Sequence, residues 1–352
     1  MSMLSRICIL LFFFQASTSA YADCSTGDRE VYQTFDMGIQ YVPRDAPIGS
    51  IIGTANIKYV YNTNTSYTCG WSDEWEIRVS SNFTVVPNIT LPQMEGGISK
   101  ATVLKTNVPG VGLIVSSEPL QSYSAISGSP PYVPYKVRLA AFPGVYKSVP
   151  AKFTLVKISN DIPVGSSRIE SPNSTISYWS TNRLHSIFLK GTVIRSECSV
   201  TGGGHAYIEV PMGAVSRREF KGKDSYSKSN GFVIPLTNCT PGSYPSNQSW
   251  NYYNNSNAHI RLDGLQGSTL IDATRGVIGL SQESTAKGVA VQILRKDGVT
   301  PLSLGKDVSI DQLKGNSMDI ELKARYIQTS NITEGPEPGS ANARAAFTIT
   351  YK

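Results

Sequence analysis

Runs in which apolar and polar residues alternate one for one recur along this chain, and no stretch keeps the spacing of an amphipathic helix for long. The clearest run has Met318, Ile320, Leu322, Ala324 and Tyr326 interleaved with Asp319, Glu321, Lys323 and Arg325. Such alternation puts each set on its own face of an extended strand, one dry and one wet. Trp75, Ile77 and Val79 alternate with Glu76, Arg78 and Ser80 in the same way. The last run closes the sequence: Ala343, Ala345, Phe347, Ile349 and Tyr351 share one face, and Arg344, Ala346, Thr348, Thr350 and Lys352 the other. Chain ends fray unless tied down, so an apolar strand held to the penultimate residue needs a partner edge, in this chain or in another.

Shorter apolar runs predict further strands over 51–61, 83–86, 101–104, 111–115, 135–139 and 153–158. In the second half the runs fall at 187–195, 206–210, 231–236, 259–262 and 288–295. Pro87, Pro92, Pro109-Gly110, Pro130-Pro131, Pro134 and Pro143-Gly144 punctuate the first set as turns, and Asp297-Gly298 is a hairpin signal. Many short strands separated by turns predict an all-β protein built from β-sandwiches. The pattern weakens into prolines, serines and glycines over 160–183, which reads as a linker. The expected division is therefore a first domain over 23–175 and a second over 176–352.

Composition changes this picture in two ways. Charged residues make up 16% of the chain, below the roughly 25% of ordinary globular proteins, while Thr, Ser, Val, Tyr and Gly abound, as in β structure. Arg6, the apolar run 7–14 and Ala20-Tyr21-Ala22 predict an export signal over 1–22. Its removal would take Arg6 with it and lower the net charge from +6 to +5. No later apolar run approaches the roughly 18 residues of a membrane-spanning helix. With Cys8 inside the signal, Cys24, Cys69, Cys198 and Cys239 remain, an even number in an exported chain. They allow three connectivities; because two fall in each half, the expected bridges are Cys24 to Cys69 and Cys198 to Cys239.

Chemistry of other kinds finds little to stand on. The cysteines lack zinc-ligand spacing, and three histidines are too few for a cluster. No nucleophile elbow, zinc-protease or phosphate-loop motif occurs, so neither an enzyme nor a cofactor is expected. Gly202-Gly203-Gly204-His205 reads as a turn. Arg217, Arg218, Lys221, Lys223 and Lys228 read as a solvated basic loop, and nucleic acid is not an expected partner.

The glycine fourteen residues from the end, the alternation after it and the penultimate tyrosine, here Gly339, Ala343–Tyr351 and Tyr351, resemble the C-terminal signature of pilus subunits of the chaperone–usher pathway. Cys198 with Cys239, the VPMG run at 210–213 and KGVAVQIL at 287–294 extend that resemblance through the second half. It implies an incomplete immunoglobulin-like domain that lacks its last strand and is completed by a donor strand. The edge residues would be Ala343, Ala345, Phe347, Ile349 and Tyr351, with the carboxylate of Lys352 held by a periplasmic chaperone. An outer-membrane usher and the next pilus subunit are the other implied assembly partners. The expected mature chain reaches Cys24 at its second residue and offers no donor segment, which resembles a two-domain adhesin at a fimbrial tip on the bacterial surface.

The placing of Cys24 and Cys69 resembles the lectin domain of type 1 fimbrial adhesins. That resemblance implies a sugar pocket at Asp23 and along the segment after Cys69, here Trp71, Asp73 and Glu74. Carboxylates accept pairs of sugar hydroxyls, and an indole face packs on a pyranose ring; Trp75 reads equally as a core residue of its strand. The expected ligand is a host glycan, and the alternative is a tip or adaptor subunit that binds a host protein or matrix component.

Overall fold

The computed structural model describes residues 24–25, 31–58, 67–69, 74–89, 101–117, 123–140, 144–146, 150–170, 175–179, 183–202, 206–242 and 256–352. The signal segment, Asp23, Trp71 and Asp73 lie outside them. Among the described residues the protein is all-β, with a single turn of 3-10 helix at Arg217–Glu219.

The alternating runs become strands because each can turn its apolar set onto a shared core. In the first half, a twelve-stranded sheet has the path Ser166–Ile169, Arg183–Ser196, Thr175–Trp179, Glu74–Ser81, Tyr132–Ala140, Val111–Ser116, Pro150–Lys157 and Ile51–Lys58. The thirteen-residue strand Val31–Pro43 lies parallel to Arg183–Ser196. Val79, Leu113, Val115, Val137, Phe153 and Leu155 from these strands are buried together. A small separate sheet pairs Cys24–Ser25 with Tyr67–Cys69, and its register sets Cys24 directly opposite Cys69.

The second half encloses its own core between two sheets. One has the order Ser199–Val200, Asn230–Thr237, Ser317–Gln328, Val289–Arg295, Val277–Ile278 and Leu270–Asp272; the other has Val308–Gln312, Asn257–Gly264 and Ala345–Tyr351. Ile234, Ile293, Ile320 and Leu322 of the first meet Ala258, Ile260, Ile349 and Tyr351 of the second. The disulfide Cys198–Cys239 closes a loop of sequence separation 41 beside that core, worth about 4 kcal/mol through the restricted unfolded chain.

The stretch 160–183, which suits a linker or the end of one domain, holds Ser166–Ile169 and Thr175–Trp179, both paired to Arg183–Ser196. Val193 is the last buried residue of the first core in sequence and Cys198 the first of the second. Strands of four and five residues amid prolines and serines carry too little alternation to stand out. Pro134 is not a turn but lies within Tyr132–Ala140, at a register shift between Tyr132 and Tyr135, where a missing backbone donor is tolerated. Residues 206–210 form no strand, although their side chains alternate as predicted.

Candidate functional site: the open edge of the terminal strand

Ala345–Tyr351 pairs along one side with Asn257–Gly264, in antiparallel register from Ala345 opposite Gly264 to Tyr351 opposite Ala258. Among the described residues no strand pairs with its other side. Asn257 and Lys352 exchange both backbone hydrogen bonds, at 2.8 and 3.0 Å. Bonded and non-bonded pairs alternate in an antiparallel ladder, so the backbone groups of Ala345, Phe347, Ile349 and Tyr351 point to the open side.

Burial along the inward face is graded. Tyr351 is fully buried, Ile349 is 7% exposed, Phe347 is half-buried and Ala345 is exposed. The strand is thus sealed at its C-terminal end and uncovered at its start. Covering the remaining half of a side chain such as Phe347 would recover about 1 kcal/mol.

The sealed end explains the penultimate tyrosine. Its hydroxyl donates to the Cys198 carbonyl at 3.0 Å, beside the disulfide. The Arg44 guanidinium lies 4.8 Å from its ring centroid. Burial first, offset in part by Arg44, pushes the phenol up to about 12. Lys352 is fixed by its backbone bonds to Asn257 and by its ammonium on Asp307, whose carboxyl it holds below the ordinary value. Gly339 has a steric reason: a Cβ there would come within 2.5 Å of the Ala286 nitrogen, where the chain bonds to 285 and 286 before entering the strand.

A second uncovered element rests on the same core. Across 206–215, Ile208, Val210 and Met212 are half-buried against the core of the second half, while Tyr207, Glu209 and Pro211 are exposed. The segment has the side-chain alternation of a strand, yet among the described residues its backbone makes no backbone–backbone hydrogen bond. The Met212 carbonyl accepts the Asn230 side-chain amide at 3.1 Å, and a half-buried segment outside any ladder invites strand addition.

Among the described residues, the first half reaches this site through Arg44 and Asp45. The Asp45 amide donates to the Tyr351 carbonyl at 3.1 Å, and the Asp45 carboxylate accepts the Tyr351 amide at 2.8 Å. Arg44 donates to the Ile349 carbonyl at 2.7 Å. Pro43, Pro47 and Gly49 mark this segment as a turn in the sequence; nothing in the sequence says what the turn touches.

Of the predicted edge residues, the structure brings Phe347, Ile349, Tyr351 and, from just before the strand, Ala343 onto one core, with Ala345 exposed on the same face and Lys352 at its end. Glu74 opens the strand Glu74–Ser81, opposite Ala140. Its predicted neighbours Asp23, Trp71 and Asp73 fall outside the described residues. Among the described residues no group of three or more His, Cys, Asp or Glu side chains is placed to hold a metal.

The fimbrial protein family matches residues 187–352. The chain is 26% identical over 348 residues to a protein of Klebsiella pneumoniae named fimbria adhesin protein, covering 95% of each. It is 31% identical over 99 residues to the F17c-G fimbrial adhesin of Escherichia coli, covering 24% of this chain and 28% of that one. Among solved structures, the receptor binding domain of the adhesin MrkD1P of Klebsiella pneumoniae aligns with 51% of this chain and 98% of its own, at 19% identity and a TM-score of 0.33. The CupB6 tip adhesin from Pseudomonas aeruginosa aligns with 94% of each chain, at 16% identity and a TM-score of 0.34.

Proposed function

We propose that this chain, whose residues 187–352 match the fimbrial protein family and which is 26% identical over 348 residues to a fimbria adhesin protein, is an adhesin of the chaperone–usher fimbrial type and that its open edge is where assembly takes place. A strand from another protein adds beside the open stretch 345–349 and covers Phe347 and the half-buried Ile208, Val210 and Met212. The periplasmic chaperone, the usher and the next pilus subunit are the partners in this reading, and Lys352 is the chaperone's anchor. The observation that carries it is the inward face of the terminal strand, buried at Tyr351 and uncovered at Ala345. Strand addition supplies backbone partners and apolar cover together.

The first half, in the same reading, presents a host-glycan site at the surface, with Asp23, Trp71, Asp73 and Glu74 as its hydroxyl-binding and ring-stacking groups. Two measurements test the pair of statements. A synthetic peptide of alternating isoleucine and threonine, long enough to span the terminal strand, should bind the full chain and raise its yield of soluble monomer on refolding. Phe347→Asp should abolish that capture. The peptide-bound chain on a glycan array should then select one glycan family, and free glycan should compete it from host cells. A chain that refolds to a stable monomer without the peptide, and gains nothing from it, would remove the assembly reading. A blank array from a folded chain would turn the first half toward a protein ligand and leave the assembly reading intact.

A further inference from the structure

The open edge has a definite end. Of the backbone groups that Ala345, Phe347, Ile349 and Tyr351 present to it, those of Tyr351 are both taken by Asp45, and the Ile349 carbonyl is taken by Arg44. What remains for a partner is the amide and carbonyl of Ala345, the amide and carbonyl of Phe347, and the amide of Ile349.

The turn that takes them is itself firmly held. The Arg44 amide donates to the Ser196 carbonyl at 3.0 Å. The Arg44 side chain is paired with Asp45 at 2.9 Å and lies 3.6 Å from Glu197, which in turn binds Arg195 at 2.5 Å. From below, the Lys157 ammonium donates to the carbonyls of Arg44 and Ala46 at 2.6 and 2.7 Å. Lys157 is 1% exposed. A buried ammonium stripped of its acceptors is strongly unfavourable, so moving the turn off the strand would leave Lys157 stranded.

We propose that the Arg44–Asp45 turn is a stop for the incoming strand. It confines strand addition to the stretch from Ala345 to Ile349 and selects partners whose pairing segment ends there. The inference rests on the strand-addition reading of the same edge and adds to it which residues of the first half set the partner's length and register. A partner that pairs past Ile349 must displace a clamp made by the first half, so a strand that leaves the two halves joined as they are ends its pairing at Ile349.

Residue-resolved amide exchange on the full chain, with and without the isoleucine–threonine peptide, tests this. The peptide spans the whole strand, so nothing in its own length ends the pairing early. In the native sequence it should slow the Phe347 and Ile349 amides by at least about tenfold and leave Asp45 and Tyr351 at their already slow rates. With Arg44→Ala and Asp45→Ala together, the Tyr351 amide should exchange fast in the free chain and become slow when the peptide is added. Asp45→Asn, which keeps an acceptor for the Tyr351 amide, should behave as the native sequence does. Faster exchange at Asp45 when the peptide binds the native chain would overturn the stop, because the strand would then be displacing the turn; this reading needs no variant to fold. A peptide that slows none of Ala345, Phe347 and Ile349 overturns strand addition itself, a different outcome from a strand that adds and overruns.

Discussion

Ser317–Gln328 and Ala345–Tyr351 are written in the same alternating code and end in different circumstances. The first is flanked on both sides, by Asn230–Thr237 and by Val289–Arg295. Its Ile320, Leu322, Ala324 and Ile327 are all buried to within 2%. The second has one flanking strand, and its inward face opens from Tyr351 to Ala345. Alternation records which face of a strand is dry, because that is a property of its own side chains. Whether each edge has a partner is a property of other segments, and there the two strands part.

The largest expected effect tests that contrast through the core. Leu322→Ala in the flanked strand should destabilise the second half by about 2–5 kcal/mol, with or without an added strand, since its cover is already complete. Phe347→Ala should cost about 1–2 kcal/mol in the free chain, where the ring is half-covered. The cost should rise toward about 3–5 kcal/mol once the peptide seals the edge. Denaturant titrations of both variants, each with and without the peptide, read the four values. Equal costs for Phe347→Ala in both conditions would mean that the added strand does not lie over Phe347.

A smaller effect belongs to the sealed end. Tyr351→Phe keeps the ring under Arg44 and removes the donor to the buried Cys198 carbonyl, a loss of about 1–3 kcal/mol. The phenol's pH dependence is worked out from its raised value. Folding holds its proton up to about 12 against an ordinary 10.0, so its contribution is complete below about pH 10 and is lost as the pH rises through about 12. The stability difference between the native chain and Tyr351→Phe should therefore narrow across that interval. A difference that stays constant would mean that folding does not hold the phenol's proton.

The flanked strand, the terminal strand and the Cys198–Cys239 bridge were legible in the sequence because each is announced locally, by alternation or by a pair of cysteines within the second half. What was not legible shares one physical cause. Val31–Pro43 is stabilised by a parallel neighbour about 150 residues away in sequence, and parallel neighbours leave no turn signal between them. Residues 206–210 carry a strand's alternation without a strand's ladder, since side-chain burial and backbone pairing are separate requirements. Arg44 and Asp45 look like any charged turn; their importance comes from Lys157 beneath and Tyr351 opposite, both distant in the chain. In the first half, the backbone register sets Cys24 opposite Cys69, and Asp23, Trp71 and Asp73 lie outside the described residues.

The smallest expected effect perturbs the closed sheet and leaves the open edge alone. Asp297 begins the Asp-Gly turn after Val289–Arg295, and Gly298 has φ +72°. The Asp297 carboxylate accepts the Thr300 hydroxyl at 2.6 Å and the amides of Val299 and Thr300 at 2.9 and 2.8 Å. The hydroxyl first, then the two amides, hold it at about 2 against an ordinary 3.8. Its contribution is present above about pH 3.8 and disappears as the pH falls through about 2. The site is exposed, so the shift in unfolding midpoint caused by Asp297→Asn should be the least of these. It should vanish in acid, where the native carboxyl is itself neutral; a gap that persists there would belong to the shape of the turn rather than its charge. Measured together, the Asp297 and Tyr351 differences separate the two regions by pH. Acid reads the turn beside the flanked strand and alkali reads the sealed end of the terminal one, so a strand peptide that ends its pairing at Ile349 should leave both differences unchanged.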